Sequence, residues 1–178
     1  MLADLGTTWT KLIDEEGDYH VLPTRQILTE KWFFSKATGH LGEKRCQIYT
    51  NELEALGIGA LAKIQEDNFT IVDVGSRDTK FLQFENRKVR KLDWNQSCGS
   101  STGFTLELLM KYYEIAPQNI AITSQESYPL TCAVFGMEKI FDAIISGQKP
   151  EDALGKFLMG IARNVFEFVL KPQTIYLS

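Results

Sequence analysis

Long apolar runs are what this 178-residue sequence most plainly lacks. No stretch approaches the roughly 18–20 consecutive apolar residues that cross a bilayer. The opening Met-Leu-Ala-Asp-Leu-Gly-Thr-Thr has neither the basic head nor the apolar centre of a secretory signal, so a cytoplasmic setting is expected. Basic runs are scarce too: the formal net charge is -4, which leaves nucleic acid without an electrostatic footprint. Cysteine is sparse and odd in number, at Cys46, Cys98 and Cys132. In a reducing compartment that argues against a disulfide framework and leaves each thiol as a small buried residue or a ligand. The two histidines, His20 and His40, are not spaced as metal ligands and read as surface or turn residues. Apolar residues, at 44%, are plentiful enough for one large domain or two small lobes.

A repeat gives the chain its organisation. Asp4-Leu5-Gly6-Thr7-Thr8-Trp9-Thr10-Lys11-Leu12 and Asp73-Val74-Gly75-Ser76-Arg77-Asp78-Thr79-Lys80-Phe81 share one pattern. It runs Asp, aliphatic, Gly, hydroxyl, two variable positions, Thr-Lys, apolar. Asp4 to Asp73 and Lys11 to Lys80 are both 69 residues apart. Each copy follows a short apolar run that reads as a strand, residues 1–5 and 69–74. Each precedes two more strand-like stretches around a polar turn, Glu16-Gly17 in the first copy and Glu85-Asn86 in the second. An aspartate at a strand end can hold hydrated Mg2+. The glycine lets backbone approach a phosphate, and the hydroxyls of Thr7, Thr8 and Ser76 can donate to phosphate oxygens. Two such bends facing one another would clamp a polyphosphate and its metal. Read singly, each is equally an ordinary hairpin turn; the matched spacing favours phosphate binding. The charged run 85–91 reads as a solvated hairpin.

From about residue 103 the pattern turns helical. Helices are expected over about 103–113, 133–145 with Gly147 as its stop, and 151–170 after Pro150. A last strand follows over 174–177. Cys98 and Cys132 each precede a helix start, where unpaired amides favour the thiolate that ligates metal. Two thiolates cannot complete a four-cysteine site, but a twofold dimer supplies four. By themselves the two residues are better read as buried structural cysteines.

The flanking residues point to a family. Asp4–Lys11 and Asp73–Lys80 resemble the two phosphate motifs of the actin, hexokinase and Hsp70 superfamily. Cys98-Gly-Ser-Ser-Thr-Gly-Phe and Cys132-Ala-Val-Phe-Gly-Met-Glu resemble two motifs of the BadF/BadG/BcrA/BcrD ATPase family, whose best-known members activate 2-hydroxyacyl-CoA dehydratases. Lys36-Ala-Thr-Gly39, Glu52–Ala60, and Pro150-Glu-Asp-Ala-Leu with Gly160–Val165 match further family stretches in the family's order.

The resemblance implies an α/β, RNase H-like (actin-like ATPase) fold with two lobes. They would be a shortened one at 1–66 and a second at 67–178 lacking its C-terminal part. It implies Asp4, Asp73 and Asp78 as catalytic residues. Gly6, Thr7, Thr8, Lys11, Gly75, Ser76, Arg77, Thr102 and Gly103 would bind ATP or ADP with Mg2+. Cys98 and Cys132 would ligate a [4Fe-4S] cluster shared across a homodimer. Partners would be ferredoxin or flavodoxin as donor and a CoA-ester dehydratase or benzoyl-CoA-reductase-like enzyme as acceptor.

Three departures qualify this. After Ile175-Tyr176-Leu177-Ser178 the family continues into a glycine-rich adenosine motif, so the adenine side of the site is expected to be absent unless a partner supplies it. Between the hairpin ending near Leu28 and Lys36 there are only a few residues; they include Trp32, Phe33 and Phe34, read as core. Gly75-Ser76-Arg77-Asp78 stands where the family has Gly-Gly-Gln-Asp, and Arg77 cannot orient an attacking water as a glutamine does. A nucleotide sensor or scaffold on the same fold, or an incomplete family member, is the alternative. Cys46 matches no cluster motif and reads as structural.

Overall fold

The computed structural model describes residues 1–95, 102–122, 126–170 and 174–178. The chain divides into two compact units, Met1–Ile71 with Leu82–Leu92 and Val72–Phe81 with Asp93–Ser178.

The first unit opens with strands β1 (Leu2–Leu5), β2 (Trp9–Ile13) and β3 (Tyr19–Pro23). A short helix α1 (Thr24–Thr29) follows, then β4 (Phe34–Thr38), β5 (Cys46–Tyr49) and helix α2 (Glu52–Lys63). The five strands are ordered β3-β2-β1-β4-β5. β1 pairs antiparallel with β2 and parallel with β4, in a register that sets Asp4 opposite Lys11 on one side and Thr38 on the other. The mixed α/β arrangement agrees with the fold class expected from the sequence. Alternation along the strands sends Ala3, Leu5, Leu12 and Ala37 to one face, where Phe34 at the start of β4 and Ile27 of α1 join them in the core. Cys46 packs at the edge of this cluster, as expected of a structural cysteine.

α1 was not expected from the sequence; its six residues are too few to show a helical period. The aromatic trio divides: Phe34 is fully buried and Trp32 packs at the core's edge, whereas Phe33 is exposed. α2 is capped at both ends. Asn51 Oδ1 accepts from the Leu53 amide at 3.0 Å. At the other end the Arg87 guanidinium donates to the carbonyls of Leu61 (2.7 Å), Ile64 (3.0 Å) and Glu66 (3.3 Å). Arg87 is therefore a helix cap rather than part of a wholly solvated hairpin.

The second copy of the strand pattern gives β6 (Phe69–Val74), β7 (Thr79–Glu85) and β8 (Lys88–Asn95), joined by β9 (Ile175–Leu177) in the order β8-β7-β6-β9. The first four strands of the five-stranded sheet follow the same order. Asn86 and Arg87 turn the β7–β8 hairpin with φ of 51° and 58°. Helices α3 (Thr102–Tyr112), α4 (Ala133–Ile145) and α5 (Pro150–Phe168) carry the rest. Gly147, at φ 93°, ends α4, and its amide reaches the Ile144 carbonyl at 2.9 Å. α5 buries Leu154, Phe157 and Ile161 against Leu109, Leu130 and Ile140. A smaller cluster joins Val72, Phe81 and Val169.

Candidate functional site

The two repeat copies form two hairpin bends of one design. In the first, Gly6-Thr7-Thr8 links β1 to β2. Lys11 Nζ lies 3.3 Å from Asp4 Oδ2, with both side chains open to solvent (44% and 34% exposed). The bend is fastened from below. Thr24 Oγ1 donates to the Gly6 carbonyl at 2.8 Å, the Thr24 amide to the Thr8 carbonyl at 2.9 Å, and the hydroxyls of Thr10 and Thr24 meet at 3.0 Å inside the core. Thr7 stays exposed at the tip and Thr8 is partly buried.

In the second bend Gly75-Ser76-Arg77-Asp78 links β6 to β7, and the Gly75 amide closes it onto the Asp78 carbonyl at 2.9 Å. The same Asp–Lys pair recurs, now inside: Lys80 is 2% exposed and Asp73 19%. Lys80 Nζ is 3.4 Å from Asp73 Oδ2 and 2.9 Å from Asp78 Oδ1. The remaining Asp78 oxygen, Oδ2, accepts from the Trp94 indole N–H at 2.9 Å. The ammonium also lies 5.2 Å from the Trp94 ring centroid. A buried ammonium needs such partners, because leaving it unpaired in low dielectric costs several kcal/mol or about that. Arg77 is exposed at the tip.

Each bend also carries a glycine from another segment pressed on its backbone. Gly39 sits just after β4 at φ 85°. A Cβ there would lie 2.5 Å from the Leu5 carbonyl oxygen and 2.7 Å from Asp4 Oδ1. Gly103, in the first turn of α3, would place a Cβ 2.7 Å from the Gly75 oxygen and 3.2 Å from the Ser76 Cα. The next amide, of Phe104, donates to the Ser76 carbonyl at 3.1 Å. The second bend is thus bonded directly to the start of a helix. Thr102 opens that helix.

Cys132 is the N-cap of α4: its backbone is extended (φ −151°, ψ 144°) and its carbonyl accepts the first helical hydrogen bond, from the Gly136 amide at 3.0 Å. It is partly buried. Cys98 lies outside the described residues. Among the described residues no group of three acidic, histidine or cysteine side chains converges as a metal site, and no helix is long and apolar enough to cross a membrane. His40 is exposed. His20 is largely exposed, its ring nitrogen 2.7 Å from Asp14 Oδ2. That contact, with the Asp18 amide next, holds the Asp14 carboxyl below its usual range.

Trp94 and Gly39 were not among the residues singled out as binding. Trp94 lies near the end of a strand rich in charged residues and carries no motif. Gly39 belongs to the matched stretch Lys36–Gly39, and that match was the available signal.

No protein-family model matches the chain. It is 22% identical over 152 residues to the (R)-2-hydroxyglutaryl-CoA dehydratase activating ATPase of Acidaminococcus fermentans, covering 82% of this chain and 58% of that protein. It is 26% identical over 106 residues to the 2-hydroxyisocaproyl-CoA dehydratase activator of Clostridioides difficile, covering 56% and 40%. The chain spans about half the length of these curated relatives. Among solved structures it is similar to the Acidaminococcus fermentans (R)-2-hydroxyglutaryl-CoA dehydratase component A. That match has a TM-score of 0.70 and 16% identity, and covers 99% of this chain and 80% of that one. It is also similar to the ethanolamine utilization protein EutJ of Carboxydothermus hydrogenoformans, with a TM-score of 0.50 and 15% identity over 98% and 73% of the two chains. The fold is that of the actin-like ATPases, and the sequence resembles the dehydratase activators.

Proposed function

We propose that the chain is an activator-type, ATP-dependent electron-transfer component. It would serve a 2-hydroxyacyl-CoA dehydratase or benzoyl-CoA-reductase-like enzyme, working as a homodimer with ferredoxin or flavodoxin as donor. The observation that carries this reading is the join between the second bend and α3: the Phe104 amide on the Ser76 carbonyl, with Gly103 against Gly75. A phosphate held on that bend shifts backbone that is hydrogen-bonded to the helix following Cys98. Nucleotide state and the cysteine segment are then coupled without an intermediary.

In this reading each bend offers a phosphate its backbone amides and hydroxyls, from Gly6, Thr7 and Thr8 and from Gly75 and Ser76. Asp4 and Asp73 take the water shell of Mg2+, while Lys11 and Arg77 offset phosphate charge. Cys132, at a helix N-terminus, and Cys98 would hold the [4Fe-4S] cluster with their symmetry mates; this donor set suits such a cluster. When bound, the cluster supplies a one-electron carrier. Exposed apolar side chains on the two helices concerned, Phe104, Leu108 and Tyr112 on α3 and Val134, Phe135, Phe141 and Ile145 on α4, suit a face that a second copy covers.

Anaerobic purification tests the cluster. The expected result is a brown protein with about half a cluster per chain, lost in Cys98→Ser and in Cys132→Ser. A colourless protein free of iron and sulfide under those conditions overturns the electron-transfer reading. One observation favours a second reading. Arg77 occupies the exposed tip of the second bend, where the family carries a water-orienting glutamine. Mg-ATP binding without turnover, together with no cluster, would make the chain a nucleotide sensor.

A further inference from the structure

The second bend holds more than its motif accounts for. Two carboxylates and one ammonium meet there, and the outer carboxylate, Asp78, has both oxygens engaged: Oδ1 by Lys80 at 2.9 Å and Oδ2 by the Trp94 indole N–H at 2.9 Å. Asp73 is held only through Oδ2, at the longer distance of 3.4 Å. Its Oδ1 meets no donor among the described residues. Lys80 therefore leans toward Asp78 and away from Asp73. Trp94 is what allows this. Its N–H fixes Asp78 in the orientation that receives the ammonium, and its ring lies against the same ammonium.

We propose that Trp94 is a positioning residue for the metal–phosphate function of the second bend: by clamping Asp78 onto Lys80, it leaves Asp73 as the carboxylate free to take a hydrated divalent cation. This inference rests on the reading of the second bend as a phosphate loop and assigns its two aspartates different tasks. Asp78 neutralises the buried lysine and does not meet the metal. Asp73 keeps an oxygen for the cation's water shell. Without the indole N–H, Asp78 loses the bond that orients it. Lys80 then shifts its charge toward Asp73 and competes with the cation there.

Calorimetric titration of ATP into the full chain, with and without Mg2+, tests this on Trp94→Phe, which keeps an aromatic ring and removes only the donor. Loss of one charge-assisted hydrogen bond predicts about tenfold weaker Mg-ATP binding, with ATP binding in the absence of Mg2+ changed less than about twofold. The effect should disappear on an Asp78→Asn background, because Trp94 acts through Asp78. A wild-type chain that binds Mg-ATP and a Trp94→Phe chain that binds it equally well overturn the inference and leave the phosphate-loop reading standing. Equal weakening with and without Mg2+ also overturns it, as general loop damage. A wild-type chain that binds no ATP in either condition overturns both, and makes the Trp94 contact purely structural. If Trp94→Phe fails to fold, a chain with Trp9→Phe and Trp32→Phe leaves Trp94 as the sole indole. Mg-ATP should then change its emission more than ATP alone, and equal changes overturn the inference.

Discussion

The two bends share a sequence pattern but not a solvent. Asp4 and Lys11 meet in the open, whereas Asp73 and Lys80 meet inside, with Asp78 and Trp94 added around the buried ammonium. The first bend can lose its ion pair and remain a bend, because exposed pairs contribute little. The second is organised by its charges, because removing one partner strands another in low dielectric. One sequence pattern is thus mounted once on a scaffold of threonine hydroxyls and once on a buried charge cluster.

The difference is most exposed by removing charges. Asp78→Ala removes the shorter of the two carboxylate contacts of Lys80, keeping the longer one to Asp73, and is expected to cost about 3 kcal/mol of folding stability. Lys11→Ala is expected to cost less than about 0.5 kcal/mol. Chemical denaturation of the two variants measures both, and equal costs would erase the contrast.

The glycines pressed on the bends sharpen it next. Gly39→Ala forces an alanine into the left-handed region and a methyl against the Leu5 carbonyl, for about 2 kcal/mol or more. Gly103→Ala meets only the steric obstacle at Gly75 and should cost about 1–2 kcal/mol. Its further effect is to part α3 from the bend. Hydrogen exchange at the Phe104 amide should therefore accelerate in Gly103→Ala and stay unchanged in Gly39→Ala.

The matched threonines should respond with opposite signs. Thr10 shares its hydroxyl with Thr24, so Thr10→Val should destabilise by about 1 kcal/mol. Thr79, at the same place in the second copy, is buried with no hydrogen-bond partner for Oγ1 among the described residues. Thr79→Val should be neutral or raise the melting temperature.

The smallest effect belongs to the hairpin beyond the first bend. The His20 contact lowers the Asp14 pKa, so the stabilisation it brings is present above the ordinary carboxylate value of 3.8 and is lost as pH falls through the lowered one. His20→Phe should flatten the fall in melting temperature on acidification below that value.

Much of this architecture could be read from residue order. The offset repeat marked both hairpins, the apolar spacing located α3, α4 and α5, and Gly147 and Pro150 marked the end of α4 and the start of α5. The rest depends on contacts distant in sequence. Lys80 sits in a strand whose alternation looks ordinary, and its burial comes from Trp94 and the carboxylates around it. Trp94 follows a run of exposed charged residues, so nothing local distinguishes it from a surface aromatic. Gly39 combines a positive φ with a site where a Cβ would press on Leu5 and Asp4, 34 and 35 positions earlier, and no local pattern carries that information. Arg87 looked solvated because the carbonyls it caps belong to another element.

The central claim is that both aspartate–glycine bends bind the phosphates of a magnesium nucleotide. Calorimetric titration of Mg-ATP into the wild-type chain, Asp4→Asn and Asp73→Asn tests it most directly. Saturable binding to the wild type, weakened about tenfold or more by either substitution, is the predicted result. No binding, or binding that neither substitution alters, would contradict it.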